Sequence, residues 1–453
     1  MYKDHNNAKN EIAIYIHWPF CESLCPYCDF NSYVNKQIDH IAWKKRYLEE
    51  ILFYKSILQN YQIRSIFFGG GTPSLMQPNT VFEILNLINT ISDIRNAEIT
   101  LEANPTSFEV AKFQDFKLAG INRVSLGVQS FDDNNLKFLG RNHSSKMAIA
   151  AIENSAKIFS NYSFDLIYAL PNQTLDDWKK ELEFSVKFNS NHISLYQLTI
   201  EENTKFSAQY KAKKFYLPEN NIANQMYLYT NKFLKKFDYN HYEISNYAKL
   251  GYESRHNLAY WEYLPYIGIG PGAHGRLHNK LKDIQEMKNL YTKINTSQNR
   301  NLNIINLLKE NKNDLKDYIN LSKQDTDLSK ENTSFLNYDH DKIASIQAIY
   351  SIKSPKQWLN SAPFENNQIE NLTKQDILQE ICLMSLRIQK GINLEQIEEY
   401  NNIKLQNLIE KNLFIKYKEM LKYSKNKKYL QIKQKYRHIS DYLIGKILEC
   451  YRE

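Results

Sequence analysis

Three cysteines near the start of the chain, Cys21, Cys25 and Cys28, follow one another in the spacing CxxxCxxC. Cysteine thiolates are the usual ligands of iron–sulfur clusters, and a cubane of four irons takes four terminal ligands. Three cysteines therefore leave one iron of such a cluster open to a ligand that is not protein. The spacing predicts a [4Fe-4S] cluster whose open iron binds a second small molecule.

Zinc and a disulfide are the two alternative interpretations of these cysteines. Structural zinc prefers a closed set of four ligands, and the nearest histidine in the sequence is His17. A disulfide framework is typical of secreted chains with an even number of cysteines. This chain has five, of which Cys382 and Cys450 lie far from the others, and its start has no signal-peptide pattern. Both alternatives are therefore disfavoured.

Short β-branched and aromatic runs alternate with longer amphipathic stretches through the first half of the chain. Strands are predicted at residues 12–17, 64–68, 98–102, 123–128, 165–169 and 192–199, and helices at residues 42–58, 80–91, 147–159 and 175–188. Repeated strand–helix units build a parallel sheet. We therefore expect an α/β fold with a partial (β/α)6-type barrel that binds ligands at the carboxyl ends of its strands.

Several motifs fall at these strand ends. The cysteine loop follows the first predicted strand, a Gly-Gly-Gly-Thr-Pro turn at residues 69–73 follows the second, and Glu102 ends the third. Glycines let a backbone approach a ligand closely, although such a sequence is more often only a tight turn. It is not a P-loop, because no Lys-Ser or Lys-Thr pair follows. Together the motifs predict one ligand site at this edge of the sheet.

An ordered series of motifs extends over most of the chain, at residues 15–21, 67–74, 101–105, 123–131, 139–143, 165–171, 195–199 and 266–270. This series resembles the coproporphyrinogen dehydrogenase-like branch of the radical S-adenosylmethionine (SAM) superfamily. Members of that superfamily hold a [4Fe-4S] cluster by three cysteines, and SAM chelates the open iron. The resemblance implies the same two cofactors here.

The resemblance also implies roles for individual residues. Cys21, Cys25 and Cys28 would hold the cluster. The methionine part and the ribose of SAM would bind at the glycine turn and at polar side chains that would otherwise be interpreted as surface ion pairs or helix caps. The implied SAM-site residues are Tyr15, Gly70, Gly71, Thr72, Glu102, Gln129, Arg141 and Asp165.

Two kinds of protein in this branch share these features. One is the oxygen-independent coproporphyrinogen III dehydrogenase, which generates a 5′-deoxyadenosyl radical, and the other is the HemW-type haem chaperone, which binds haem and delivers it. The dehydrogenase typically has a further cysteine two residues after the third, where this chain has Phe30, and a longer segment before the first. The resemblance favours the haem chaperone, with the dehydrogenase as the alternative. It leaves open whether the chain is an enzyme that cleaves SAM.

A second feature that looks like the chaperones is the HNxxYW motif at residues 256–261. A neutral imidazole is a common axial ligand of haem iron, and aromatic rings can pack against the macrocycle. His256 is therefore a predicted haem ligand, with a hydrogen-bonded core histidine as the alternative. His274, in the glycine-rich turn 270–275, is a lower-ranked candidate that could serve the cofactor instead.

The chain divides into three predicted parts. Residues 1–280 are the predicted barrel domain, and residues 295–335, rich in Asn, Lys, Asp and Ser, are a predicted polar insertion or linker. Residues 338–453 predict a smaller helical or winged-helix-like domain with a wing strand at 429–432. Lysines cluster between Lys416 and Arg437, which fits contact with an anionic membrane surface but is more often a solvated face.

Composition agrees with a cytoplasmic globular protein. The 453 residues are 42% hydrophobic, and although the formal net charge is +8, most basic residues are spread along the chain, so we predict no nucleic-acid partner. No apolar run approaches the roughly 18 residues that a membrane-spanning helix needs. The expected partners are haem as cargo, haem-accepting apoproteins and an electron donor, with peripheral membrane contact as a further possibility.

Overall fold

The computed structural model describes residues 11–278, 346–401, 417 and 419–449. All of these belong to one compact unit. The predicted polar insertion lies outside the described residues, as do Lys416, Lys418 and Cys450. No helix among the described residues is both long and apolar enough to cross a membrane.

The described strands are numbered here in chain order. They are β1 (Glu11–Trp18), β2 (Phe20–Cys21), β3 (Tyr33–Val34), β4 (Gln62–Gly70), β5 (Glu98–Ala103), β6 (Arg123–Gln129), β7 (Asn161–Tyr168), β8 (His192–Gln197), β9 (Asn240–His241), β10 (Asn246–Ala248), β11 (Tyr266–Ile269), β12 (His274–His278), β13 (Ile346–Tyr350), β14 (Gln368–Asn371), β15 (Ile392–Asn393), β16 (Leu421–Tyr423) and β17 (Tyr429–Ile432).

Helices connect these strands. The described α-helices are His40–Phe53, Lys55–Leu58, Pro78–Ile91, Ser107–Val110, Phe113–Leu118, Asp133–Phe138, Ser145–Ile158, Leu175–Ser185, Lys205–Lys211, Asn220–Leu234, Arg255–Trp261, Pro355–Asn360, Lys374–Ser385, Leu394–Asn401 and Ser440–Glu449. Short 3-10 helices span Pro73–Leu75, Val186–Phe188, Lys235–Phe237 and Gln434–Ile439.

Twelve of the described strands form one sheet, in the order β14-β13-β12-β11-β1-β4-β5-β6-β7-β8-β10-β9. The neighbours from β11 to β8 pair in parallel, and the strands at both edges pair antiparallel. The parallel part follows the β/α alternation of the sequence and confirms the predicted α/β fold.

Strand β1 shows how the sheet divides apolar from polar side chains. Ile14 is fully buried, and Trp18 packs edge-on against Trp43 of the helix His40–Phe53, with ring centroids 5.6 Å apart. Side chains alternate between the two faces of a strand, so Tyr15 and His17 lie on the opposite face. Strand β1 thus buries its apolar face against a helix and turns polar rings toward the inside of the barrel.

Two predicted elements differ from the structure. Strand β7 begins at Asn161, four residues before the predicted start at residue 165, because its polar side chains have partners: the Arg123 guanidinium donates to the Ser163 hydroxyl at 2.7 Å. The predicted helix 42–58 is interrupted at Tyr54, which lies between two shorter helices. Local hydrophobic periodicity records neither a distant polar partner nor a one-residue break.

The residues after 346 add to the sheet and form a second, smaller one. Strand β13 pairs with β12, whereas β15, β17 and β16 form a separate three-stranded sheet in which β17 coincides with the predicted wing strand. Arg276 of β12 donates to the Glu380 carboxylate at 2.8 Å, which joins the barrel to the helix Lys374–Ser385. The predicted domain boundaries stay a prediction.

Candidate cofactor site

A cleft opens at the carboxyl ends of β4, β5, β6 and β7, and we call it the strand-end cleft. It contains about 970 Å³ that protein atoms leave free, including its opening to solvent. Parallel strands bring their carboxyl ends to one edge, so residues far apart in sequence meet there. The predicted site residues that line it are Cys21, Cys25, Cys28, Gly70, Gly71, Thr72, Glu102, Gln129, Arg141 and Asp165.

The three cysteines line one wall of this cleft. Cys21 ends β2, and the Cys28 amide donates to the Cys25 carbonyl at 3.2 Å, which closes the loop into a turn. Burial raises the pKa of the Cys21 thiol to about 11 and also raises the pKa of Cys28. Such thiols ionise readily only beside positive charge, which iron supplies. The donors fit iron by their chemistry, although among the described residues no three His, Cys, Asp or Glu side chains are grouped to hold one metal ion.

The glycine turn packs against the strand that leads into the cysteine loop. A Cβ at Gly70, whose φ is +114°, would lie 2.6 Å from the His17 ring. A Cβ at Gly71 would lie 2.7 Å from the Phe20 carbonyl oxygen and 3.0 Å from the Cys21 sulfur. Side chains are excluded at both positions. The absence of Cβ atoms lets backbone form the wall of the cleft next to the cysteines.

Two carboxyl groups face the cleft. Burial, reinforced by the neighbouring Asp165 carboxylate, raises the pKa of Glu102 to about 8, and burial raises the pKa of Asp165 to about 6. One oxygen of Glu102 accepts a hydrogen bond from the Gly70 amide at 3.2 Å. Buried carboxyls are stabilised by hydrogen-bond donors. Hydroxyl or ammonium groups of a bound molecule are therefore the chemistry that this side of the cleft accepts.

Arg141 supplies positive charge to the cleft that Glu102 and Asp165 also line. Its guanidinium donates to the Cys25 sulfur at 3.3 Å and to the Gly127 carbonyl at 2.9 Å. Its buried Nε atom has no hydrogen-bond partner among the described residues. A buried N–H without a partner costs roughly 1–3 kcal/mol. Arg141 lines the cleft and brings a positive charge to it, so it fits an anion-binding role.

Gln129 enters the cleft from an irregular part of β6. Its φ is +70°, a left-handed backbone conformation for a residue that is not glycine. The register of β6 against β7 shifts between Leu126 and Gln129. Such irregularities re-aim side chains and are frequent at functional sites. The shift accounts for a side chain that lines the cleft instead of following the regular pleat.

Asn104 is a site residue that sequence reasoning missed. Its side chain donates to the Thr72 hydroxyl at 3.1 Å and accepts from the Arg141 guanidinium. It therefore connects the glycine turn to the arginine. A signal was available, because Asn104 directly follows β5, at the carboxyl end where ligands of such sheets bind.

Tyr15 lies outside the lining of the cleft. His17 bonds through Nε2 to the Asn31 carbonyl at 2.9 Å and through Nδ1 to the Tyr15 hydroxyl at 3.0 Å. Because a carbonyl only accepts, Nε2 carries the hydrogen and Nδ1 accepts from Tyr15. Tyr15 thus positions the end of the cysteine loop through His17. Its predicted contact with SAM stays a prediction.

The structure does not bring His256 to the cleft. It lies buried on the helix Arg255–Trp261 and stacks on Phe67, with ring centroids 4.8 Å apart. Its Nδ1 is 2.9 Å from the Ser65 hydroxyl and its Nε2 is 2.9 Å from the Tyr260 hydroxyl. Burial, with a contribution from Arg123, lowers the pKa of His256 to about 3. These are the contacts of a hydrogen-bonded core histidine, and the haem-ligand role stays a prediction.

Comparison with known proteins finds a family and several relatives that this chain resembles in sequence. Residues 15–185 match the family model of the radical SAM superfamily. The heme chaperone HemW of Buchnera aphidicola subsp. Schizaphis graminum is 44% identical over 300 residues, which are 64% of this chain and 75% of that protein. HemW of Escherichia coli is 38% identical over 269 residues, 59% of this chain and 70% of that protein.

A solved structure shares the overall fold. Coproporphyrinogen III oxidase (HemN) from Escherichia coli, described as a radical SAM enzyme, matches with a TM-score of 0.67. The match covers 98% of this chain and 90% of that chain at 19% sequence identity. At this identity the similarity shows a common fold and carries no conclusion about activity.

Proposed function

Because this chain belongs to the HemW family within the radical SAM superfamily, we propose that it binds haem and delivers it to haem-requiring proteins. The observation that carries the proposal is the 44% identity to a heme chaperone over 75% of that relative's length. The radical SAM family model covers residues 15–185, which include the cysteine loop, the glycine turn and the predicted site residues of the strand-end cleft. The proposal therefore concerns the fold and the site together.

We further propose that the strand-end cleft holds a [4Fe-4S] cluster and SAM. Cys21, Cys25 and Cys28 would ligate three irons, and SAM would chelate the open iron. The positive charge of Arg141 in the lining of the cleft supports binding of the SAM carboxylate. When bound, the reduced cluster supplies an electron to SAM.

The remaining residues of the cleft would orient SAM by hydrogen bonding. Glu102 and Asp165 carry raised pKa values because they are buried, and donors from a ribose or an ammonium group would satisfy them. Gly70 and Gly71 would offer backbone groups to SAM, because both line the cleft without a side chain. Asn104 keeps the arginine and the glycine turn in a fixed relation.

Phe30 separates the proposed function from its alternative. The dehydrogenases of this branch typically have a further cysteine two residues after the third, and here that position is an exposed phenylalanine. A phenyl ring can neither ligate iron nor donate a hydrogen atom as a thiol does. Phe30 therefore supports haem delivery over coproporphyrinogen oxidation.

One experiment distinguishes the two functions. Protein purified without oxygen and reconstituted with iron and sulfide is offered coproporphyrinogen III with SAM and a reductant, and separately offered haem. We expect uptake of haem that survives gel filtration, followed by transfer to an apo-haem protein, and no protoporphyrinogen. Formation of protoporphyrinogen would overturn the chaperone proposal in favour of the dehydrogenase.

The proposed partners other than haem are an electron donor, haem-accepting apoproteins and a membrane surface. An electron donor follows from the proposed cluster, and haem-accepting apoproteins follow from the proposed delivery. Peripheral membrane contact would use the described lysines around β17, among them Lys422, Lys425 and Lys433. The cytoplasmic location, like the membrane contact, stays a prediction.

A further inference from the structure

His274 is the exposed one among the histidines whose side chains the structure describes. It is the first residue of β12, and its ring meets the Tyr350 ring edge-on, with centroids 4.9 Å apart. Neither ring nitrogen has a hydrogen-bond partner among the described residues. Partial burial and the nearby Arg276 and Lys353 cations lower its pKa, which favours the neutral imidazole. A neutral imidazole with an unused nitrogen is ready to ligate a metal.

The end of the cysteine loop is fastened beside this histidine. The Asn31 side chain donates to the Pro271 carbonyl at 3.0 Å and to the Lys353 carbonyl at 2.9 Å. A Cβ at Gly272 would lie 2.5 Å from the Asn31 amide nitrogen, so the turn before His274 packs directly on the loop. Three segments therefore meet here: the cysteine loop, the turn before β12 and the end of β13.

The cysteine loop presents apolar side chains to solvent at this place. We call Phe30, Tyr33 and Val34 the loop rim; they are 65%, 38% and 47% exposed. The Tyr33 hydroxyl donates to the Asn31 side-chain oxygen at 3.1 Å and lies 3.4 Å from the Lys353 carbonyl, so the rim is joined to the segment after β13. Neighbouring exposed apolar side chains of this size mark a binding surface more often than isolated ones do. The exposed Lys353 adds a positive charge at its edge.

We propose that His274 is the axial ligand of the haem cargo and that the loop rim packs against the porphyrin ring. Haem combines an apolar ring, two carboxylates and an iron that takes an imidazole nitrogen. The rim, Lys353 and His274 offer one partner for each of these. His256 offers none in the described structure, because both of its nitrogens are hydrogen-bonded inside the barrel. The inference rests on the proposed function and names its binding site.

Two porphyrins separate the contribution of the iron from that of the ring. The full chain, reconstituted with cluster, is titrated with haem and with metal-free protoporphyrin IX, and binding is followed by absorbance and fluorescence. We expect His274→Ala to weaken haem at least about tenfold, to change the haem spectrum and to leave protoporphyrin unchanged. Added imidazole should restore the spectrum. Phe30→Ala should weaken both porphyrins alike, with iron and sulfide content confirming an intact cluster.

His256→Gln is the matched control, since glutamine keeps hydrogen-bonding capacity at the buried position. We expect it to bind haem with the wild-type spectrum. The ligand assignment is overturned if His274→Ala keeps the wild-type haem spectrum and affinity, or weakens both porphyrins equally. If Phe30→Ala binds both porphyrins with wild-type affinity, the proposed contact between the loop rim and the porphyrin ring is overturned. If the wild-type chain takes up no haem, the proposed function fails together with this site, whereas a wild type that binds haem through another residue refutes only the site.

Discussion

The strand-end cleft and the helix Arg255–Trp261 contain the two clearest chemical motifs of the chain, and Arg141 of the cleft and His256 of the helix differ in their surroundings. In the cleft, Arg141 keeps a buried N–H without a partner among the described residues. On the helix, both nitrogens of the buried His256 are hydrogen-bonded to hydroxyls, while the buried Nε1 of Trp261 has no partner among the described residues. A charged group that lines an open cleft can bind a ligand, whereas a buried group with both nitrogens hydrogen-bonded holds a fold together. A motif identifies chemical groups, and only the packing shows which of them have bonding capacity left.

We therefore expect substitutions in the two regions to differ in their effects on ligand binding and on the free energy of unfolding. Changes to the cysteines and polar side chains of the cleft should remove ligands and leave the folding of the chain intact, whereas a change to its glycine wall should affect both. Changes on the helix should lower the free energy of unfolding and leave the cofactors in place. Each prediction below tests one side of this contrast against a matched residue elsewhere.

The largest effect is expected from the cysteines. Replacing Cys25 by Ser should reduce cluster content to background, because a hydroxyl does not replace the thiolate that iron requires. Iron and acid-labile sulfide analysis after anaerobic reconstitution measures this. The free energy of unfolding of the cluster-free chain should change by less than about 0.5 kcal/mol, as for a group at the edge of an open cleft.

Cys382 is the control for this substitution. It is buried in the helix Lys374–Ser385, away from the cleft lining. Cys382→Ala should retain full iron and sulfide. If Cys25→Ser also retained them, Cys25 would not be a ligand and the cleft would lose its proposed role.

His256 should show the reverse pattern. His256→Ala leaves the hydroxyls of Ser65 and Tyr260 without their partner and opens a cavity beside Phe67, so we expect a loss of about 3 kcal/mol in the free energy of unfolding. Urea unfolding measures this loss, and the affinity for SAM should stay within about twofold of wild type. His274→Ala, an exposed change, should cost less than about 0.5 kcal/mol. Equal losses in the two variants would remove the distinction between the histidines.

Gly70 tests how tightly the wall of the cleft is built. Gly70→Ala combines a φ of +114° with a contact of 2.6 Å to the His17 ring, and we expect it to cost about 2 kcal/mol and to weaken SAM binding. Gly251 has a φ of +87° but nothing within 4 Å of a Cβ. Gly251→Ala should therefore cost about 1 kcal/mol, from backbone strain alone. If the two variants lose the same free energy of unfolding, the contact between a Cβ at position 70 and the His17 ring adds nothing to the cost.

Much of this site could be predicted from sequence, for a physical reason. Strands β1, β4, β5 and β6 show local hydrophobic patterns, and parallel pairing then brings their ends, with Glu102 and Gln129, to one edge. The bonding state of His256 could not be predicted, because its partner Ser65 is 191 residues away in the chain. The same holds for Asn104, whose bond to Arg141 spans 37 residues. Local patterns place backbone, and contacts between distant segments decide which polar groups stay unused.

The pH dependence of stability gives a second test of the helix. In the folded chain burial lowers the pKa of His256 to about 3, whereas in the unfolded chain it titrates near about 6.5. Below that pH the unfolded chain binds a proton that the folded chain does not, so stability falls as the pH falls, by up to about 1.4 kcal/mol per unit. His256→Gln should remove the contribution of His256 to the dependence of the free energy of unfolding on pH between about pH 6 and 5. His241 and His278, whose pKa values are also lowered by burial to about 3, should keep their contributions. If the free energy of unfolding depends on pH in the same way in the variant and the wild type, His256 is not buried as a neutral base.

The smallest effect is expected at Asn104, and it tests whether the unused donor of Arg141 needs support. Asn104→Ala removes the amide that bridges the Thr72 hydroxyl and the arginine. The guanidinium should then sample other orientations, and the dissociation constant for SAM should rise about tenfold, or about 1.4 kcal/mol. Asn142, an exposed residue of the same cleft that bonds to the Ser23 hydroxyl, is the control, and Asn142→Ala should leave SAM binding within about twofold. Equal affinities in both variants would mean that Gly127, Cys25 and Tyr27 hold Arg141 without help from Asn104.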